Sequence, residues 1–213
     1  MMDDHVFYDC ATAPSPRRAR MFMAEKGFEI PTIQIDLRHG EQLGDEFRAI
    51  NPRCTVPALK LPDGTVLGDN ASIARYLEET RPEPPLMGST PVEKALVAEW
   101  NAIAESEGLL AIAEIVRNSL PGMRGRALTG PKSYNQIPEL AERGRIRAQA
   151  FFETLNSRLQ KSAYLAGENY SVADITAFIV VEFAGWVKLE PAENHSALRE
   201  WRTAIAARPS ARP

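Results

Sequence analysis

The chain has 213 residues, which is enough for one large or two modest domains with a proper hydrophobic core. Its 44% hydrophobic and 25% charged residues are ordinary for a globular protein, and its net charge of −3 excludes a general attraction to nucleic acid or to an anionic membrane. Two cysteines are too few for a disulfide framework, so we expect a reducing compartment, the cytoplasm. The longest apolar run, residues 175–187, contains Glu182 and is too short to cross a bilayer.

The first part of the chain alternates short strands with helices. Residues 6–8 and 32–37 are predicted strands, and residues 18–26 are a predicted helix that ends at Gly27. Strands over 58–61 and 65–67 flank Pro62-Asp63-Gly64, a strong hairpin signal, and a helix follows over 71–79. The order β-α-β, loop, β-β-α predicts a thioredoxin-like α/β domain over residues 1–80.

The second part of the chain is predicted to be helical throughout. Residues 81–91 include a proline-rich stretch that cannot continue a helix, so they are the predicted linker. Residues 92–213 form the predicted all-α domain, with helices over 92–118, 139–160, 172–188 and 195–207 and a loop between the first two. Ser171-Val-Ala-Asp174 is a capping box with a structural role, and residues 207–213 are predicted to be frayed.

Two segments indicate a site for a small peptide: Asn51-Pro-Arg-Cys-Thr-Val-Pro-Ala-Leu59 and Leu67-Gly-Asp-Asn-Ala-Ser-Ile-Ala-Arg-Tyr-Leu77. A proline at the start of a strand can be cis, which turns the backbone polar groups of the preceding residue outward. Asp69 and Asn70 are both good helix caps, and the free N–H groups at a helix start suit a carboxylate. The loop and the helix start are therefore suited to hold two parts of one peptide.

With these segments, the chain resembles the cytosolic glutathione S-transferases, in particular bacterial types with a Ser, Thr or Cys in the active-site loop. The resemblance runs from Val6-Phe-Tyr to the segment Tyr164-Leu-Ala-Gly…Tyr-Ser-Val-Ala-Asp174-Ile. Two positions depart from the usual pattern: Cys54 stands where glycine is common, and Asp69-Asn70 stands where Glu-Ser is usual.

The resemblance implies an enzyme of detoxification that conjugates glutathione to a small hydrophobic electrophile. Glutathione would be a co-substrate with no other cofactor, the second domain would contribute the electrophile pocket, and the protein would be a homodimer. Two alternatives stay open on the same fold: a glutathione-dependent thiol–disulfide or peroxide reductase, and a non-catalytic glutathione-binding or interaction module.

The resemblance also implies which residues bind glutathione. The backbone of Val56, just before Pro57, would bind the cysteinyl part, and Asp69 and Asn70 the γ-glutamyl end. The loops that carry Gln42 and Arg53 are those that family members use for the glycine end. These six residues are Gln42, Arg53, Val56, Pro57, Asp69 and Asn70.

The catalytic residue is expected in the loop before the first helix. Ala13 occupies a position at which many members keep their active residue, and it has neither hydroxyl nor thiol. Ser15 falls where Cys-type bacterial members keep their cysteine, so we predict that Ser15 donates to the glutathione sulfur, with Thr12 as second candidate. A purely structural alternative is that Ser15 is the N-cap before Pro16 at the first helical position, and both roles are compatible.

Other candidate groups are assigned mainly structural roles. Cys10 lies near the strand end and is expected to be a buried structural cysteine rather than a redox thiol. Cys54 lies in the binding loop, where exposure would allow mixed disulfides with glutathione. His5, His39 and His195 are isolated and lack ligand spacing, so no metal site is expected.

Overall fold

The computed structural model describes residues 2 and 4–212. The chain divides into two compact units. The first runs to Pro84 and also includes Thr129–Lys132, and the second comprises Pro85–Leu128 and Ser133–Arg212. Among the described residues, no helix combines the length and the apolar character needed to cross a membrane.

The first unit is a thioredoxin-like α/β fold around a four-stranded mixed sheet. Its sheet has the order β2-β1-β3-β4, in which β1 pairs with β2 in parallel and with β3 antiparallel, and β3 pairs with β4 antiparallel. The elements in chain order are β1 (Val6–Asp9), α1 (Pro14–Glu25), β2 (Thr32–Gln34), α2 (Asp45–Ile50), β3 (Ala58–Lys60), β4 (Val66–Leu67) and α3 (Asn70–Thr80).

The predicted order of elements is confirmed, with one addition. The segment predicted as a loop before β3 contains a 3-10 turn, Glu41–Leu43, and the short helix α2. Six residues are too few to show a helical period, and Phe47 is the only buried residue of α2. The hairpin turn is present as predicted: Asp63 accepts a hydrogen bond from the Thr65 N–H at 2.8 Å, and Gly64 has a φ of 88°.

One apolar cluster of the first unit supports the loop before β3. Its buried members are Tyr8, Ile35, Phe47, Val56 and Ala58. Val56 is 9% exposed as a whole residue and packs in this cluster, which holds the loop before β3 in place.

Lys26 ties the end of α1 to the chain that leaves α3. Its ammonium group donates to the carbonyl oxygens of Arg81, Pro82 and Pro84 at 2.7, 2.9 and 2.6 Å. It also forms an ion pair with Glu78 at 2.5 Å, and the Arg81 guanidinium donates back to the Lys26 carbonyl at 2.6 Å. Lys26 is 2% exposed, so its ammonium charge is buried and is compensated by three carbonyl oxygens and one carboxylate.

The second unit is helical. Its helices are α4 (Pro91–Ile103), α5 (Leu110–Ser119), α6 (Pro138–Leu159), α7 (Val172–Ala184) and α8 (Ser196–Ala206), and a π turn, Ala104–Leu109, joins α4 to α5. The predicted helices are confirmed with small changes at their ends. Helix α4 begins with a second capping box, which was not predicted: the Thr90 hydroxyl accepts from the Glu93 N–H, and the Glu93 carboxylate accepts from the Thr90 N–H.

Two glycines allow close packing on α6. A Cβ at Gly144 would lie 2.7 Å from the Ala111 carbonyl oxygen on α5. A Cβ at Gly108, in the π turn, would lie 2.4 Å from the ring of Phe151 on α6. Both distances are too short for a side chain, so these glycines set the separation of the helices.

The predicted capping box at the start of α7 is confirmed, and its acidic residue has more partners than the motif requires. Asp174 is fully buried and accepts hydrogen bonds from the N–H groups of Leu165 and Ser171, the Ser171 hydroxyl and the Trp201 indole. Burial raises the pKa of Asp174 to about 6, against the opposing effect of these four donors.

The prediction of a frayed tail is wrong for residues 207–212. Pro209–Ala211 form a 3-10 turn, Ala211 is 5% exposed, and the Arg208 guanidinium lies 3.9 Å from the centre of the Tyr170 ring. These contacts are long-range and leave no local signal in the sequence. Pro213 lies outside the described residues.

Candidate functional site

Helix α1 begins earlier than predicted, and this changes the environment of Ser15. The N-cap is Ala13, which has no capping side chain, and Pro14 occupies the first helical position. The structural alternative, with Ser15 as N-cap before Pro16, is therefore wrong, because Pro14 suits the first helical position as well as Pro16 does. Ser15 lies in the first turn, half-buried, between two prolines that have no N–H to donate.

The Ser15 hydroxyl is held by a residue from another helix. The side-chain amide of Asn70 donates to the Ser15 Oγ at 2.9 Å. Asn70 is the first residue of α3, so the contact joins the starting turns of α1 and α3. Two predicted site residues 55 positions apart thus lie side by side. The buried Oδ1 of Asn70 has no hydrogen-bond partner among the described residues.

The start of α3 is capped by only one of the two predicted residues. Asp69 is the N-cap, and its carboxylate accepts from the Ser72 N–H at 2.8 Å. Asn70 contacts Ser15 instead of capping the helix. Asp69 is exposed at this end of α3, where the helix dipole favours an anion.

The loop from Asn51 to Pro57 has a shape that Asn51 fixes. The Asn51 side chain donates to the Thr55 carbonyl at 2.8 Å and accepts from the Arg53 N–H at 3.1 Å. The Val56–Pro57 peptide is cis. Within residues 2 and 4–212, neither the N–H nor the C=O of Val56 makes a hydrogen bond, so both are available to a peptide.

Cys54 has a left-handed backbone, with a φ of 54°. Glycine adopts this conformation without steric cost, which explains why glycine is common at this position in the resembling family. The Cys54 side chain is 3% exposed, and its thiol lies 3.6 Å from the Pro52 carbonyl oxygen. Cys54 is therefore buried, and the exposure on which the mixed-disulfide alternative depended is absent.

A buried carboxylate that was not among the predicted site residues holds the loop before α1. Asp9, 2% exposed, pairs with the Arg20 guanidinium at 2.5 Å and accepts from the Gln34 side chain at 2.8 Å. Arg20 donates to the Ala11 carbonyl at 2.9 Å, while the Gln34 side chain accepts from the Ala11 N–H at 2.8 Å. The N–H and the C=O of Ala11 are thus both held by side chains that pair with Asp9. The sequence signal that could have indicated this role is an acidic residue, Asp9, at the end of the otherwise apolar strand β1.

Among the residues that the structure describes, no hydrogen bond joins the remaining candidates to Ser15, Asn70 or Asp69. Thr12 is exposed, and its hydroxyl lies 3.6 Å from the thiol of Cys10, which is half-buried instead of buried as expected. Gln42 is 6% exposed, and its Oε1 has no hydrogen-bond partner in the described part of the chain. Arg53 is exposed, and its backbone N–H donates to the Asn51 side chain.

Comparison with known proteins places both units in one family. The family model for the glutathione S-transferase N-terminal domain matches residues 12–80, and the model for the glutathione S-transferase C-terminal domain matches residues 125–209. Glutathione S-transferase 2 of Saccharomyces cerevisiae is 33% identical over 213 residues, covering 99% of this chain and 89% of the yeast protein.

Solved structures agree with this result. A glutathione S-transferase domain-containing protein of Marinobacter aquaeolei has a TM-score of 0.89 at 33% identity, covering 96% of this chain and 98% of the other. Gtt2 of Saccharomyces cerevisiae has the same TM-score and identity, covering 96% and 97%.

Proposed function

Because the chain belongs to the glutathione S-transferase family, we propose that it conjugates the thiolate of glutathione to small hydrophobic electrophiles. The observation that carries this proposal is the pairing of Ser15 with Asn70 where two helices begin. It supports a role for one residue in activating the sulfur and for the other in binding the peptide.

Glutathione binding is proposed to use unpaired backbone and helix-start groups. The N–H and C=O of Val56, before the cis Pro57, can pair with the cysteinyl part as a strand would. Asp69 and Asn70, at the start of α3, suit the γ-glutamyl end, whose α-amino and α-carboxylate groups need both an anion and N–H donors. Gln42 and Arg53 are proposed for the glycine carboxylate.

Sulfur activation is proposed to rest on the direction of the Ser15 hydroxyl. Asn70 donates into the Ser15 oxygen, so the hydroxyl hydrogen remains available for a second acceptor. A free thiol has a pKa of ~8.5, and lowering it by two units requires about 3 kcal/mol of preference for the thiolate. A hydroxyl donor and the dipole of α1 can together supply this amount. Thr12 is the second candidate because it is exposed in the same loop.

The experiment compares Ser15→Ala and Thr12→Val in conjugation of glutathione to 1-chloro-2,4-dinitrobenzene across pH. For Ser15→Ala we expect kcat/KM to fall by about 10- to 100-fold, with a higher apparent pKa of bound glutathione, because a hydrogen bond to a charged sulfur is lost. Ser89→Ala, at an exposed serine of the second unit, is the matched control. Full turnover by Ser15→Ala would refute the assignment of the hydroxyl.

The alternatives are separated by two further assays. A glutathione-dependent disulfide or peroxide reduction assay, run beside the conjugation assay, distinguishes a reductase from a transferase. Retention on immobilised glutathione without either activity would indicate a non-catalytic module. We also propose a homodimer that acts in detoxification in the cytoplasm, with glutathione as co-substrate and no other cofactor; sedimentation equilibrium tests the dimer.

A further inference from the structure

A cavity lies in the first unit, between the end of α1 and the end of α3. Its volume is about 290 Å³, and its lining consists of Met2, Gly27, Phe28, Glu29, Thr80 and Arg81. None of these residues is among the predicted glutathione-binding or catalytic residues. Pockets for drug-sized ligands measure about 300–1,000 Å³, so this cavity suits a smaller molecule. Because most of its lining residues are exposed, such a molecule has access from solvent.

Arg81 supplies a positive charge that is already held in place. Its Nη1 donates to the carbonyl oxygens of Lys26 and Gly27 at 2.6 and 2.9 Å, and its guanidinium lies 4.3 Å from the centre of the Phe28 ring. A guanidinium has five N–H donors, and Nη1 uses both of its own. In the described part of the chain, the edge formed by Nε and Nη2 makes no hydrogen bond. That edge matches the two oxygens of one carboxylate.

Gly27 leaves the space that this guanidinium occupies. Its φ is 65°, and a Cβ at this position would lie 3.3 Å from Nη1 of Arg81. A side chain would therefore crowd the guanidinium, whereas glycine adopts the left-handed backbone without steric cost. The backbone of Arg81 is fixed as well, because its carbonyl accepts from the buried Lys26 ammonium at 2.7 Å. An arginine held at both ends loses little freedom when it binds a ligand, which favours affinity.

The same cavity also carries a negative charge. Glu29 is exposed in the loop between α1 and β2. Among the residues that the structure describes, the Glu29 carboxylate forms no ion pair with Arg81, although both residues line the cavity. The Thr80 hydroxyl donates to the Tyr76 carbonyl at 2.7 Å, so its oxygen remains available as an acceptor. The cavity therefore offers donors from Arg81 and acceptors from Glu29 and Thr80, with room between them.

We propose that this cavity binds a free α-amino acid, whose carboxylate pairs with the Nε and Nη2 edge of Arg81 and whose ammonium group pairs with Glu29. An α-amino acid carries both charges on one carbon, so one small molecule satisfies both sides of the cavity. A molecule with a single charge satisfies only one side, and the other side would then lose water without gaining a partner. The site does not rest on the proposed conjugation, because none of its residues takes part in that reaction.

The experiment titrates the full chain with L-methionine in the absence of glutathione and follows two-dimensional ¹H–¹⁵N NMR spectra. We expect the largest amide shifts at residues 27–29 and 80–81, which line the cavity. N-acetyl-L-methionine lacks the ammonium group, and L-methioninamide lacks the carboxylate. Each should have a Kd at least about tenfold higher than that of L-methionine, because one charged contact is lost.

Variants assign the two charges separately. Glu29→Gln should raise the Kd of L-methionine about tenfold and leave that of N-acetyl-L-methionine unchanged, because the acetylated probe has no ammonium group to lose a partner. Arg81→Lys keeps the charge and loses the planar fork, so it should weaken L-methionine and not L-methioninamide. The matched control is Glu46→Gln, at an exposed glutamate of α2 outside the cavity. If Arg81→Lys fails to fold, the exposed Glu29 decides by itself.

A second position could attract the same probe, because the start of α3 is proposed for the γ-glutamyl end of glutathione. Asp69→Asn distinguishes the two positions and should leave the Kd of L-methionine unchanged. Amide shifts centred on Asp69 and Asn70, with a loss of affinity in Asp69→Asn, would overturn the proposal. It would also be overturned by equal Kd values for L-methionine and its N-acetyl derivative, by equal effects of Glu29→Gln and Glu46→Gln, or by the lack of any shift up to the solubility limit.

Discussion

The enclosed ammonium of Lys26 allows a sharp test of what holds the first unit together. Lys26→Met keeps a side chain of similar length but removes the charge. Three carbonyl oxygens at 2.6–2.9 Å then lose a donor, and Glu78, 8% exposed, loses its ammonium partner at 2.5 Å. Removing one member of a buried pair costs about 3–5 kcal/mol, so we expect the free energy of unfolding to fall by that amount.

The assay for Lys26 uses the distribution of chromophores in the chain. All three tryptophans, Trp100, Trp186 and Trp201, lie in the second unit, so their fluorescence reports unfolding there. Far-ultraviolet circular dichroism in urea reports the helices of both units together, and hydrogen exchange of the amides of α1 and α3 reports the first unit by itself. The loss of unfolding free energy measured from the amides of α1 and α3 should exceed the loss measured by tryptophan fluorescence.

Two further variants complete the Lys26 experiment. Lys60→Met, at an exposed lysine of β3, should change stability by no more than about 0.5 kcal/mol. The double variant Lys26→Met/Glu78→Met removes both charges and should recover part of the loss, because no buried carboxylate has then lost its ammonium partner. The reasoning would be refuted if Lys26→Met stayed within about 1 kcal/mol of the unmodified protein, since the buried charge would then contribute almost nothing.

Three other predictions follow from the contacts described above. Arg20→Met should lower kcat/KM by about tenfold by loosening the loop before α1, whereas Arg75→Met, at an exposed arginine of α3, should not; equal effects would contradict a positioning role. Burial raises the pKa of Asp174 from its ordinary 3.8 to about 6 in the folded chain, so its stabilising contribution is complete below about pH 3.8 and is lost as pH rises through 6. The free energy of unfolding relative to the non-titrating Asp174→Asn should therefore fall by about 3 kcal/mol between pH 3 and 7 in urea titrations, and a constant difference would disprove the shift. Gly144→Ala should cost about 1–3 kcal/mol by thermal melting because its Cβ meets backbone at 2.7 Å, while Gly122→Ala, with open space around it, should stay near zero.

The elements with local signals could be predicted from the sequence. Asp63-Gly64 specifies a hairpin turn by its own backbone preferences, and Ser171 with Asp174 specifies a helix start within four residues. The departure at Cys54 was also visible as a missing glycine, although only the φ of 54° gave its reason. In each case the physical cause acts between neighbours in the chain, so the sequence contains it.

Only the tertiary structure decided which distant residues meet. Ser15 and Asn70 are 55 positions apart, as are Lys26 and Arg81, and no periodicity or motif connects either pair. The start of α1 was misplaced because Pro14 and Pro16 suit the first helical position equally well. The Ser15 hydroxyl accepts from Asn70, a contact that no helix-start pattern predicts. Sequence alone therefore determined the family, the fold and the candidate loops, because these depend on local preference and on pattern. The geometry that joins those loops depends on packing between separate elements, which local preference does not encode.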